Sequence, residues 1–501
     1  MDRKRTGIPP EKKLFLISAV ITAAIALWGI VGNRSFAYVA DLLMNGLKKQ
    51  FSWLYLWVML LFVLFSLVIA LSPWGKIRLG ADGDRPEYST LTWFAMLFGA
   101  GMGIGLVFWG MAEPLSHYVQ PMAGIEPQSA EAVRFSMRSS FMHWGVHPWS
   151  CYAIVGLGLA YFQFRKKKPA AASSLLTPFS RGGKWGRGLG LAVDIYTTVL
   201  TAIGVATSFG MGCLQISGGL QELFGIPSSL PVWLVLITVI CILYLKTAIS
   251  GVDKGIKLLS DINLLLFLIL MAASYLVGDL AASLRMGGRG LWDYICYFFP
   301  DSVRLSSQGD SSWIENWRVF YWAWWLSWAP FVGTFIARIS RGRTVRQFLL
   351  GVIVIPTIVS VLWFTAFGGL ALSAAEDLPR ETLLAMIAKP ELTLFQILEM
   401  YPLGHLLCLI AMGLLVTFFV TSANSATFVL AMLTSGGKLD PPVSKKVFWG
   451  LLIAVLALAL IFSGGISMIQ TISIVIAFPY LLFLILICIS LVLAFRRDSS
   501  A

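Results

Sequence analysis

Charge is scarce in this sequence. Its 501 residues carry 25 acidic and 38 basic side chains, 13% of the chain, where an ordinary soluble domain has roughly 25%. So few charges cannot cover the surface of a soluble fold this long, which excludes a single water-soluble domain. Cysteine is also sparse. The six (Cys151, Cys213, Cys241, Cys296, Cys408, Cys488) lie apart, with no CxxC or Cys/His ligand spacing. They read as small buried hydrophobes, not as disulfides or metal ligands. There are four histidines, His117, His143, His147 and His405. His143 and His147 stand at i,i+4 without a nearby Glu, a pattern of packing or hydrogen-bonding histidines. P-loop, GxSxG and HExxH motifs are absent, as is any nucleophile–base constellation, so nothing points to an ATP-driven pump or an enzyme. What abounds is apolar: 57% of residues are hydrophobic. The class that remains is an all-α polytopic membrane protein.

A spanning helix needs about 20 apolar residues. Twelve stretches qualify, near 14–33, 52–74, 92–113, 139–164, 190–216, 229–247, 259–279, 318–337, 347–373, 404–432, 446–464 and 468–495. The first is too long for a cleavable signal and lacks a clear small-residue cleavage site. With the N-terminus placed in the cytoplasm, 27 of the 38 Lys and Arg fall in cytoplasmic segments. That asymmetry predicts twelve transmembrane helices with both termini inside. The net charge of +13 therefore marks orientation, and nucleic-acid binding is excluded as a partner class. Residues 1–501 read as one membrane domain. The longest non-membrane segment, 280–317, reads as an outer loop whose end, from Ser312 to Arg318, forms a short interfacial helix.

Three regions depart from ordinary membrane helices. Gly99, Gly101, Gly103 and Gly105 interrupt the third span at mid-membrane. They fit close helix packing through GxxxG, but residues spaced by two point around the whole helix. The favoured expectation is an unwound segment lining a site, as in many secondary transporters. The stretch Phe320 to Trp328 holds four Trp in seven residues. That is denser than an interfacial belt requires. With Trp144, Trp149 and Tyr152 of the fourth span, it suggests indole faces for a quaternary ammonium, worth ~0.5–2 kcal/mol per ring. The third region, Phe418 to Thr427, clusters neutral hydroxyls suited to sodium, although such groups usually back-bond to their own helix. Span centres hold almost no acid. Glu113, Asp194 and Asp261 lie near predicted ends, and Glu113 reads as a packing or capping carboxylate. A zwitterion with a methylated cationic head needs no acidic partner.

At these residues the chain resembles the betaine/carnitine/choline transporter family, and within it the sodium-coupled glycine betaine symporters. The likeness runs from about 50 to 495. It is carried by Gly101–Gly105, His147-Pro148-Trp149, Phe320–Trp328 and Ala337–Thr344. The resemblance implies two peripheral helices (14–74), then a leucine-transporter-like 5+5 inverted repeat (92–279 and 318–495), assembled as a homotrimer in the bacterial cytoplasmic (inner) membrane. It implies an aromatic box of Trp144, Trp149, Tyr152 and Trp325, with Trp324 beside the substrate, Trp328 on its way in, and Phe331 and Phe335 as gates. It implies sodium as coupling ion, with no other cofactor, held by Gly99, Met102, Phe418, Thr421 and Ser422. A second sodium would use Thr201, but its companion position is Val205, which offers no oxygen. Either another oxygen substitutes or the coupling ratio is lower. The expected activity is sodium-driven import of a betaine-type zwitterion by alternating access. Proton-coupled choline-type uptake and substrate exchange on the same fold stay open, and a channel or sensor is the reading from another class. Glycine betaine, choline, carnitine, ectoine and sulfonium or sulfonate analogues are not distinguished.

Overall fold

The computed structural model describes residues 9–101, 103–179, 183–250, 253–438 and 440–499. The described chain is helical throughout. Its only β pairings among the described residues are two isolated bridges, Arg78 with Thr344 and Ser307 with Asp310.

Helix α1 (Pro10–Val31) starts on a proline, whose fixed φ suits the first helical position. Gly32 separates it from α2 (Asn33–Leu71). Both pack on the C-terminal helix and leave large apolar side chains such as Val20, Leu27, Val31 and Leu71 exposed. An apolar face this extensive suits lipid or another apolar protein surface and not water. The glycine-rich stretch divides the next segment into α3 (Thr90–Gly101) and α4 (Ile104–Val119). The fourth predicted span is also divided, into α5 (Ala130–Trp144) and α6 (Val146–Ala160). The break falls at Gly145, where a Cβ would stand 2.4 Å from the Phe141 carbonyl and 2.6 Å from the Tyr294 hydroxyl. Pro148, three residues further on, has no N–H to continue the ladder across the break.

Helices α7 (Gly183–Phe224), α8 (Leu230–Ser250) and α9 (Asp253–Val277) follow. The segment expected to be an outer loop contains α10 (Leu280–Cys296) and α11 (Phe298–Val303). Asp279 caps α10 by accepting from the Ala282 N–H at 2.9 Å, and α10 lies along α5 and the helix after the Trp-rich one. Its apolar positions are too few to register as a span, yet they cover one helical face. A π-turn, Ile314–Val319, leads into α12 (Phe320–Arg338). Next come α13 (Val345–Glu376), opened by a Thr344/Gln347 capping box, and the short α14 (Arg380–Ala388) and α15 (Pro390–Glu399). The chain ends in α16 (Gly404–Leu433) and α17 (Val443–Ser499). Helix α17 bends at Gly464 (φ 155°) and Gly465 (φ 60°), between the two apolar stretches read there. Eight of the described helices are long and apolar enough to cross a membrane.

Helix α12 is central. It packs on α6, α7 and α17, and its tryptophans are interior: Trp322, Trp324 and Trp325 are 0%, 2% and 5% exposed. A lipid-interface belt is thereby excluded. The Ala337–Thr344 run serves as a latch. The Leu79 N–H donates to the Arg343 carbonyl, and the Gly342 N–H to the Leu79 carbonyl, both at 2.8 Å. The Arg343 guanidinium lies 4.0 Å over the Trp93 ring and donates to the Tyr88 carbonyl at 2.9 Å. Burial lowers its pKa from the ordinary arginine value. Gly342 adopts φ +80°, and a Cβ there would come 2.1 Å from the Arg85 carbonyl oxygen. The end of α12 is thus fastened to the loop that precedes α3.

Candidate functional site

The two broken helices meet α12. Trp144 ends α5 and sets its ring edge-on to Trp325, with centroids 4.8 Å apart at 79°. Trp324 stacks on Trp325 at 4.9 Å and 20°, and meets Trp144 edge-on at 6.0 Å. Tyr152 of α6 stands perpendicular to Trp325 at 6.1 Å, and Trp149 to Tyr152 at 5.5 Å. All five side chains are buried. Trp328, half-buried, donates its indole N–H to the Gly204 carbonyl at 2.7 Å, fastening α12 to α7.

Trp144, Trp324, Trp325 and Trp328 line one small cavity with Gly103, Gly105, Ser208 and Ser422. Its free space is about 20 Å³, enough for one water molecule. Gly105 is required there, because a Cβ would stand 2.5 Å from Cη2 of Trp324. Trp149 and Tyr152 form a second rank behind Trp325, outside the lining. The Tyr152 hydroxyl and Trp324 indole N–H are buried and have no hydrogen-bond partner among the described residues. The same holds for the hydroxyl of Ser208, which sequence reasoning did not single out. Its only signal was a position two helical turns beyond Thr201.

Of the residues expected to hold sodium, Ser422 shares the indole cavity with Gly103. The Thr421 hydroxyl donates to the Thr417 carbonyl at 3.0 Å and accepts from the Asn263 amide at 2.9 Å. The Phe418 carbonyl lies 3.2 Å from that hydroxyl. Gly99 lies in α3, and Met102 falls outside the described residues. The Thr201 hydroxyl donates to the Thr197 carbonyl at 2.7 Å, and Val205 is buried. The Thr421 and Thr201 hydroxyls donate within their own helices, and each keeps a lone pair free to accept.

Phe331 packs edge-on against Trp328 at 5.4 Å. One turn further, Phe335 lines a separate cavity of about 410 Å³ with Thr334, Arg338, Asn424, Ser425 and Lys446.

Of the two sequence readings of Glu113, packing and capping, the structure fits packing. It is fully buried and has four hydrogen-bond partners: the Tyr321 hydroxyl and the Trp144 indole N–H at 2.8 Å, which donate to it, and His143 Nδ1 at 2.7 Å and His117 Nε2 at 3.3 Å. It joins α4, α5 and α12 instead of capping a helix end. His143 and His147 fall on opposite sides of the Gly145 break. His147 bonds Ser302 at 3.0 Å and stacks on Trp322. The pattern that carried this information was Glu113 with His117, at i,i+4 on one helix.

Eight described helices long and apolar enough to cross a membrane, with large apolar side chains exposed along them, define a multi-pass membrane protein. Residues 13–500 match the family described as BCCT, betaine/carnitine/choline family transporter. The glycine betaine transporter OpuD of Bacillus subtilis (strain 168) is 43% identical over 487 residues, covering 97% of this chain and 94% of that protein. The ectoine/hydroxyectoine transporter of Virgibacillus pantothenticus is 40% identical over 480 residues, 95% of each chain. A probable glycine betaine transporter of Desulfitobacterium hafniense (strain Y51) is 39% identical over 491 residues, 97% of this chain and 98% of that one. The chain belongs to the betaine/carnitine/choline transporter family. It is a transporter and not an enzyme.

Proposed function

We propose that this protein imports glycine betaine, or a zwitterion with the same trimethylammonium head, by sodium symport. The observation that carries the proposal is the convergence of Trp144, Trp324, Trp325 and Trp328 on one cavity at the break between α3 and α4. Such faces attract a methylated cation without an anionic partner. The unpartnered Trp324 N–H and Ser208 hydroxyl, on side chains that line the cavity, are donors suited to the substrate carboxylate. Relatives named as glycine betaine transporters support the same substrate.

Sodium is assigned to the neutral oxygens of Gly99, Met102, Phe418, Thr421 and Ser422, where α16 approaches the glycine break. Because Ser422 also lines the indole cavity, ion and substrate would stabilise one another's site. That mutual stabilisation is a coupling free energy. Val205 in place of a hydroxyl favours a single sodium per cycle. Twelve spans follow if α17 counts twice at its glycine kink, and α3/α4, α5/α6 and α12 join the remaining long helices. The halves α3–α9 and α12–α17 then form the inverted repeat, which rocks about the fixed site. By the distribution of basic residues, the cavity at Phe335, Arg338 and Lys446 faces the cytoplasm, so this conformation opens inward. The assembly is a homotrimer in the cytoplasmic membrane, with both termini inside.

The ectoine/hydroxyectoine relative supports a second substrate, since ectoine also carries a delocalised cation and a carboxylate. The test is uptake of radiolabelled glycine betaine into proteoliposomes with sodium or potassium outside, challenged by unlabelled ectoine. Equal uptake in the two salts sinks sodium coupling. Half-inhibition by ectoine at a lower concentration than by betaine itself reverses the substrate order.

A further inference from the structure

The Glu113 carboxylate bonds two aromatic groups of the substrate region at once. Trp144, a ring of the indole cavity, gives it an N–H at 2.8 Å, and Tyr321 gives it a hydroxyl. Tyr321 in turn stacks on Trp325, with centroids 6.1 Å apart at 24°. The remaining oxygen receives His143 and His117. An indole N–H can only donate, and with each imidazole in the tautomer that donates here, four hydrogen bonds meet the ionised carboxylate and favour that form. Its charge is therefore buried one hydrogen bond away from the rings that would hold the substrate cation.

Two physical effects follow. A hydrogen bond to an anion fixes the rotamer of the donor ring, so Trp144 keeps its edge against Trp325. It also draws the N–H and O–H protons toward the carboxylate and leaves the indole and phenol faces richer in electrons. Cation–π attraction depends on that negative face. In a surrounding of low polarity the carboxylate's own field adds to it, because little water screens it.

We propose that Glu113 is a positioning residue that sets the cation preference of the indole site by orienting Trp144 and polarising its ring. The proposal rests on the substrate reading given above. Glu113 does not line the cavity, so it acts through Trp144 and Tyr321 and does not touch the substrate.

The experiment compares two ligands of nearly identical shape on purified full-length protein. Glycine betaine carries a trimethylammonium head, and 3,3-dimethylbutanoate carries the neutral tert-butyl head on the same acetate. The readout is the ratio of their dissociation constants, with the thermal melt recorded for each variant. Glu113→Gln is isosteric and can re-pair with its neighbours through hydroxyl rotation and a change of histidine tautomer. It is expected to weaken glycine betaine by roughly tenfold and to leave the neutral isostere within about twofold. Glu113→Asp, which keeps the charge, is expected to retain the wild-type ratio. Trp144→Phe keeps an aromatic ring but removes the N–H. It reads the same link from the other end, and it is expected to lower the ratio and to abolish most of the further effect of Glu113→Gln. A ratio unchanged in Glu113→Gln or in Trp144→Phe overturns the proposal, and so does an equal loss for both ligands. A wild-type protein that does not prefer the cation overturns the indole-site reading, and this proposal with it. A wild-type preference that survives Glu113→Gln overturns this proposal alone.

Discussion

The indole N–H of Trp325 donates to the main-chain carbonyl of His143 at 2.8 Å. That carbonyl is free because α5 ends one residue later and α6 does not resume its ladder until past Gly145. A gap in one helix thus fixes the rotamer of the central ring contributed by another. The same residue's imidazole reaches Glu113, so His143 uses its backbone and side chain to set two faces of the site.

Trp325→Leu removes the ring that Trp144, Trp324 and Tyr152 all contact. The His143 carbonyl loses its donor as well. We expect glycine betaine affinity to fall by about tenfold or more, from ~0.5–2 kcal/mol for the ring itself plus the loss of order in its neighbours. Isothermal titration of the purified protein checks this. Unchanged binding removes the indole assignment.

Gly105→Ala puts a methyl 2.5 Å from Trp324 and 3.3 Å from Trp144. The rings must yield, since neither atom belongs to a flexible chain end. We expect a lowered melting temperature from the overpacked rings and, in the folded fraction, a KM for betaine that rises several-fold. A KM equal to wild type would mean that the Trp324 position is irrelevant to substrate.

Sodium dependence is expected to divide by position. Thr421→Ala and Ser422→Ala each remove a hydroxyl oxygen at the α16 site, and we expect the half-saturating sodium concentration to rise by about tenfold, as for a lost ligand to a charged partner. Val205→Thr supplies an oxygen one turn from Thr201. Its expected signature is a steeper sodium dependence of uptake, read as a larger Hill coefficient. A Thr421→Ala protein with wild-type sodium response would contradict the ion assignment.

Gly342→Ala is expected to act on stability alone. The φ of +80° costs an L-residue ~1–3 kcal/mol, and the new methyl meets the Arg85 carbonyl at 2.1 Å. A lowered thermal melt with unaltered substrate affinity in the folded fraction is the predicted pattern. Affinity loss at an unchanged melt would show that the latch reports to the site.

The long apolar helices could be read from the sequence because lipid imposes a composition that needs no knowledge of partners. Three of the four cavity tryptophans were legible for a related reason: they belong to a run of four indoles in two turns, denser than an interfacial belt requires, whose remaining member, Trp322, packs on His147 instead. Other features carried weaker signals. The Gly145 break is one glycine among 46, and the close approach of the Phe141 carbonyl and of Tyr294 from a distant helix makes it obligatory. Helix α10 was missed because a helix that lies along its neighbours needs one apolar face, not an apolar run. For Glu113 the sequence left packing and capping both open, because hydropathy places it near the end of a span. What matters for it is the set of donors brought from α5 and α12, and chain position does not record those. Ser208 looked like any hydroxyl in a membrane helix until its cavity was visible.

A cavity with room for one water beside four tryptophans has a kinetic meaning. For a betaine to bind there, as proposed, the rings must first separate, and the Trp328 bond to Gly204 is one of the restraints on that separation. Association would then be paced by how often the protein opens, a property of the chain and not of the solution. At high betaine concentration the observed binding rate should level off at the opening rate instead of climbing without limit.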